Sequence, residues 1–309
     1  MNLQTAKRYE DLLTETVDPS PFDYAMMFKA DGFFARRRAK TRFKLLKAIE
    51  RKLLGILQSQ ERVYWITTGT TVSIGEQFFV GWIAYYLNRR ALVFTTERVL
   101  LLELSRNEKP GHLVSQIPYT AIASVKSTWH GICRVKLLNK TIYNFQSVPS
   151  ADRKFLTDFL RDIAQGTNTP FKHIQGLEHL CPHCYAVAAG YPAACPTCHG
   201  GFKSARKAAL MSFIFPGTGD WYLGHRGFAV LEMLGTCFSW LFLVITPLLL
   251  PADPQFPPPR TEYWLTVAVL LLVGHSIDAM MTHNFARKGH YPHGSRPHLA
   301  GQPPKLQGT

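Results

Sequence analysis

The stretch Gly227–Leu250, GFAVLEMLGTCFSWLFLVITPLLL, decides how the chain must be read, because it holds a single charged residue, Glu232. A second apolar run, Tyr263–Met281, YWLTVAVLLLVGHSIDAMM, follows after a short break. A helix needs about 20 predominantly apolar residues to cross a hydrocarbon core, and each run comes close to that length, so both are expected to be transmembrane helices. The intervening PADPQFPPPRTE cannot continue a helix and sets Asp253 and Glu262 against Arg260 alone. Lys203, Arg206, Lys207 and Arg226 precede the first run, and Arg287, Lys288, Arg296 and Lys305 follow the second. The excess of positive charge on cytoplasmic flanks places both termini in the cytoplasm and the proline-rich loop outside.

Working outward, AALMSFIFPGTGDWYLGHRG begins with eight uninterrupted apolar and small residues, Ala208 to Phe215, then breaks at Pro216, Gly217 and Gly219. Eight are too few to span, so residues 205–226 are expected to form an interfacial or re-entrant segment ahead of a two-helix hairpin over 227–282. A third, short span is the competing reading. Pro216, Gly217, Gly219, Tyr222 and Gly224, followed by two spans, resemble the TM2-type helical hairpin, which covers the last third of the chain. That resemblance implies a membrane module and no particular reaction.

Just upstream, HLCPHCYAVAAGYPAACPTCHGGF (His179–Phe202) holds four of the six cysteines as C-x2-C, ten residues, C-x2-C. Two such turns can aim four thiolates at one ion and complete the tetrahedral sulfur shell that zinc favours. The segment is too small for a core, so metal binding must supply much of its folding energy. Cys181, Cys184, Cys195 and Cys198 are therefore the expected ligands of a structural Zn2+. CPHC and CPTCHGGF resemble a short zinc ribbon over 177–204. Dithiol redox chemistry is the alternative, without a βαβ context around either pair. His183 and His199 could substitute as ligands, and Cys133 and Cys237 read as small buried hydrophobes.

The middle of the chain is β-rich. RRALVFTTERVLLLEL reads as two strands joined at Thr96-Glu97-Arg98, and ICRVKLLNKTIYNFQ as a hairpin turning at Asn139-Lys140, with Val135, Leu137, Tyr143 and Phe145 inward. SADRKFLTDFLRDI starts with Ser150 as N-cap and sets Phe155, Leu156, Phe159, Leu160 and Ile163 on one helical face. EQFFVGWIAYYL is too short to span and is assigned to an early strand. Strands followed by one packing helix describe a small barrel, and LVFTTERVLLL with IPYTAIASV resembles bacterial PH-like and GRAM-like domains over 61–166. The fold class is thus an α+β multidomain membrane protein: a PH-like small β-barrel with a C-terminal helix, a zinc ribbon and an α-helical transmembrane hairpin.

Residues 1–60 hold a basic amphipathic helix. Leu46, Ile49, Leu53 and Ile56 share a face, while Arg36, Arg37, Arg38, Lys40, Arg42, Lys44, Lys47, Arg51 and Lys52 supply the charge. These cations form either a solvated face packed on the β domain or a surface for anionic lipid headgroups. Nucleic acid is the less expected partner, since a tethered domain has the membrane close by. No secretory signal is visible at the N-terminus, and the His-, Pro- and Gly-rich 283–309 is expected to be a disordered basic tail whose histidines chelate metals weakly at most.

Glu232 and Asp278 are expected at similar depth in the two spans, with His275 one turn from Asp278. Intramembrane ionisable groups mark either structural pairing near the interface or an ion or proton pathway. At 309 residues, 46% hydrophobic and a formal net charge of +14, the chain has room for about two domains and must face something acidic. No catalytic motif stands out, with no G-x-S-x-G, P-loop or H-E-x-x-H. The expectation is a non-enzymatic adaptor integral to the cytoplasmic membrane, binding a protein partner, a second copy of itself or anionic headgroups. A transport or regulatory component using Glu232, His275 and Asp278, and a membrane-bound enzyme with an unrecognised site, remain alternatives.

Overall fold

The computed structural model describes residues 20–28, 35–72, 76–78, 81, 83–128, 132–166, 176–249 and 261–294. The expectations for residues 1–19, for most of the proline-rich loop and for the tail beyond Gly294 lie outside them. The chain divides into two compact units, the first ending at Ala189 and the second beginning at Gly190. The architecture is mixed α+β, with antiparallel sheets and two helices long and apolar enough to cross a membrane.

In the first unit, helix α1 (Ala35–Leu54) precedes strands β1 (Val63–Thr70), β2 (Arg89–Thr95), β3 (Arg98–Leu104), β4 (Pro110–Pro118), β5 (Ile122–Ser127), β6 (Cys133–Leu137) and β7 (Ile142–Phe145); helix α2 (Ser150–Gly166) and the short strand β8 (Glu178–Leu180) follow. Two antiparallel sheets result, ordered β1-β2-β3-β4-β8 and β5-β6-β7. The run RVLLLEL lacks polar alternation because the five-stranded sheet is covered on both faces. Ala91, Val93, Leu100 and Leu102 pack with Leu46, Ile49 and Leu53 of α1 on one side. Leu92, Phe94, Val99 and Leu101 pack with the second sheet and with Leu156 and Leu160 of α2 on the other. Trp65 stacks on Phe155 at 4.1 Å, fixing α2 to β1. The turn at Asn139-Lys140 forms as expected, with Lys140 at positive φ between β6 and β7.

Two buried ion pairs join these layers. The Arg98 guanidinium donates from Nε to Glu61 Oε1 at 2.9 Å and from its terminal nitrogens to Glu61 Oε2 at 2.7 Å, Ile56 O at 3.2 Å and Gln116 Oε1. Burial alone would raise the Glu61 pKa, but hydrogen bonds from Arg98, Thr95 and the Gln58 N–H hold it below the ordinary glutamate value. The TTER turn is thereby locked to the end of α1. Elsewhere Arg42 pairs with Asp152 at 2.5 Å, donates to Met27 O and lies 3.7 Å over the Trp65 ring.

The described residues of EQFFVGWIAYYL, expected to be a strand, supply none: they are helical at 76–78 and Ile83–Leu87 with a turn at Gly81, and the edge strand is Val63–Thr70. The segment has no period-two alternation: Ala84 is buried while Phe78 and Tyr86 are exposed, as a short helix against the sheet rim requires.

In the second unit, α3 (Ala205–Ile214) is followed by the single-turn-and-a-half α4 (Thr218–Leu223), then α5 (Arg226–Leu249) and α6 (Thr261–Ala286). Ser204 caps α3 by accepting from the Lys207 N–H. At 24 and 26 residues, α5 and α6 reach about 36 and 39 Å at helical rise, longer than a hydrocarbon core of about 30 Å. Only 11% and 17% of their most apolar windows are buried. Pro247 cannot donate to the carbonyl four residues back, and the helix widens to a π-turn at Leu241–Ile245. The Tyr263 hydroxyl donates to that freed carbonyl, Leu243 O, at 2.8 Å.

Candidate metal centre and buried carboxyl cluster

The two Cys-Pro-x-Cys turns share one backbone design. In the first, the Cys181 N–H donates to Ala186 O and the Tyr185 N–H to Cys181 O, both at 2.9 Å. In the second, the Cys195 N–H donates to Gly200 O at 2.9 Å and the His199 N–H to Cys195 O at 3.0 Å. The residue after each second cysteine, Tyr185 or His199, adopts positive φ, which folds the chain back sharply. The His183 N–H also points at Cys181 Sγ at 3.4 Å, the polarity that stabilises a thiolate.

Each turn is anchored within its own unit. β8 extends the five-stranded sheet, pairing Leu180 with Val114 and Glu178 with Gln116, and its Glu178 accepts from Gln116 Nε2 at 2.6 Å. After the second turn, Phe202 stacks on His290 at 4.4 Å and Lys203 N–H donates to Tyr291 O at 2.8 Å. Residues up to Gly294, expected to be part of a disordered tail, are therefore ordered here. The cause is the aromatic pocket that Phe202 and Tyr191 offer to His290, which is 3% exposed.

No disulfide joins the four cysteines, and their Sγ atoms all lie within 4.8 Å of one another. A tetrahedral zinc with bonds of about 2.3 Å separates its sulfurs by about 3.8 Å, so this donor set fits a metal ion with little adjustment. Cys181 and Cys195, the first of each pair, are buried, and the second of each is half-buried. His183 and His199 are not among the clustered groups.

A second cluster lies among the helices of the second unit. Carboxyl oxygens of Asp220, Glu232 and Asp278 lie within 4.8 Å of one another. Glu232 and Asp278, expected at similar depth in the two helices, both belong to this cluster. His275 does not join them: its Nδ1 meets Phe213 O at 2.8 Å, and Trp240 lies edge-on to its ring. Asp220 takes the place expected of the histidine. It accepts from Thr282 Oγ1 and meets His225 Nδ1, both at 2.8 Å, and Thr282 bonds Ser212 at 2.9 Å. The signal for Asp220 was present, a carboxylate between the glycines of PGTGDWYLG.

These polar groups satisfy a broken backbone. The carbonyls at the end of α3 are taken by His275 (Phe213 O) and by the Thr218 hydroxyl (Met211 O and Phe215 O), while Asp278 accepts from Gly217 N at 3.1 Å. Gly217 sits at φ +89, and a Cβ there would fall 2.6 Å from Ala229 O. At Gly219 a Cβ would fall 2.2 Å from Ala208 O, so α3 and α4 meet backbone to backbone.

The basic helix divides by exposure. Arg36, Arg37, Lys40, Lys44, Lys47 and Arg51 are exposed, Arg38 is half-buried and Arg42 is buried in its ion pair. Lys44 pairs with Glu108 at 3.2 Å. Lys52 donates to Gly111 O, and burial, partly offset by Glu103, pushes its pKa down to about 8. Arg42 and Lys52 thus serve packing and are not free to meet a headgroup. Comparison with protein-family models and with curated proteins finds no match to this chain.

Proposed function

We propose that the protein is a non-enzymatic adaptor integral to the cytoplasmic membrane, whose β domain and zinc centre form docking surfaces on the inner face. Helices α5 and α6 are the spans, α3 and α4 form a re-entrant segment, and the six cations Lys203, Arg206, Lys207, Arg226, Arg287 and Lys288 at one end of these helices mark the cytoplasmic side. Irregular backbone at membrane depth is tolerated where protein groups satisfy it, which is what His275, Asp278 and Thr218 supply at the PGTG turn.

The observation that carries the adaptor reading is the convergence of four thiols, since a four-sulfur shell closes the tetrahedron and leaves no position for a substrate. The strand order and closing helix of the first unit support a PH-like domain. β5 ends the three-stranded sheet, so its outer edge, Ile122–Ser127, offers backbone groups to an added peptide strand. Cross-linking in intact cells tests this: a reproducible protein partner, lost when Val125→Pro blocks the β5 edge, is expected. Recovery of the same partner with that variant would refute it.

A second reading rests on the three converging carboxyls, which could carry a proton or cation through the helices. It predicts that Glu232→Gln with Asp278→Asn abolishes an ion-dependent activity at unchanged protein level, whereas the structural role predicts loss of the protein itself.

A further inference from the structure

The rim of the second unit gathers cations around one aromatic ring. Lys203 Nζ and Lys207 Nζ stand 5.5 and 5.4 Å from the centroid of Tyr222, and Arg226 lies over Trp221 at 5.9 Å. Among the described residues no carboxylate forms an ion pair with Lys203, Lys207 or Arg226. Burial and then the neighbouring Arg226 lower the Lys203 pKa, so these two cations feel each other without a compensating anion. Lys203 donates one bond to Leu223 O at 3.3 Å, leaving further N–H groups to offer.

Along α3 from Lys207, Leu210 and Ile214 follow at spacings of three and four on one face, and both are largely exposed, at 61% and 69%. Seven residues of helix carry that stripe about 10 Å inward. There it meets an open apolar groove of ≈ 540 Å³ lined by Ile214, Trp240, Val244, Trp264 and Leu271. A cationic cradle continuous with an apolar slot fits an amphiphile better than it fits a free anion or an uncharged helix.

We propose that this surface binds one anionic phospholipid, with its phosphate on Lys203, Lys207 and Arg226 and an acyl chain along Leu210 and Ile214 into the groove. It rests on the membrane reading above and assigns the lipid contact to the second unit, not to the basic helix α1. Replacing the two lysines removes the cradle, and each lysine near an anionic surface is worth about fivefold in binding.

The test uses the full chain in phosphatidylcholine nanodiscs doped with a small fraction of bromine-labelled phosphatidylglycerol or, separately, bromine-labelled phosphatidylcholine. Tryptophan quenching by the labelled phosphatidylglycerol is expected to exceed that by labelled phosphatidylcholine at equal fraction. The preference is expected to fall in Lys203→Gln with Lys207→Gln and, independently, in Arg226→Gln, and to persist in Lys47→Gln on α1. Equal quenching by the two lipids would overturn the proposal, as would a preference unchanged in both cradle variants. So would a preference erased by excess inorganic phosphate, the mark of a site for a free anion, or a groove filled by a second copy at twice the expected mass. Failure of the chain to enter nanodiscs would instead overturn the membrane reading itself.

Discussion

Replacing Arg98 with methionine should be among the most damaging single changes in the first unit. Glu61 has a side-chain exposure of 0% and Arg98 of 9%, so removing the guanidinium strands a buried carboxylate without its counter-ion. Breaking such a pair costs about 3–5 kcal/mol, and Gln116 and Ile56 O lose a partner at about 1 kcal/mol each. Against a total domain stability of about 5–15 kcal/mol, that removes a large share. Gln116 also holds Glu178 in β8, so the loss should reach the strand that leads into Cys181. Urea unfolding of the detergent-solubilised chain, followed through buried Trp65, measures the first effect, and zinc content after dialysis measures the second. Glu61→Leu combined with Arg98→Met exchanges the pair for apolar groups and should recover to within about 2 kcal/mol of the parent. A single variant costing under about 1 kcal/mol, or a double variant no better than the single, would refute the reasoning.

Substituting Cys181 or Cys195 with serine should abolish stoichiometric zinc, read by elemental analysis, and expose residues 177–204 to protease. Gly217→Ala must accept φ +89 and a contact with Ala229 O, so a loss of at least about 2 kcal/mol is expected in thermal unfolding in detergent. Lys52 has a folded pKa of about 8 against an ordinary 10.5, so the folded state binds fewer protons between those values and stability should rise with pH across that window. A melting series from pH 7 to 10 should show that rise, and Lys52→Gln should flatten it. Glu61 acts in the same sense at acid pH: its depressed pKa lends stability above the ordinary 4.5 that is lost as pH falls through the folded value.

The two long helices and the paired cysteines were legible in the sequence because each depends on length, composition or short spacing. Strand pairs such as RRALVFT with RVLLLEL were legible for the same reason, since the Thr96-Glu97 turn is local. What tertiary packing decides was hidden. Arg42 shares the apolar register of Leu45, Leu46 and Ile49, yet only the arrival of Asp152 from 110 residues away makes its burial tolerable. His275 and Asp278 lie one turn apart and invite a joint site, but the α3 break supplies a carbonyl to one and an N–H to the other. β8 is three residues long and becomes a strand only because β4 leaves an edge open.

Whether α5 and α6 traverse a bilayer is tested most directly by alkaline carbonate extraction of membranes from cells expressing the full chain. The apolar surface of these helices, buried only in small part by protein, predicts that the chain stays in the pellet and leaves it only with detergent. Release into the carbonate supernatant would contradict it.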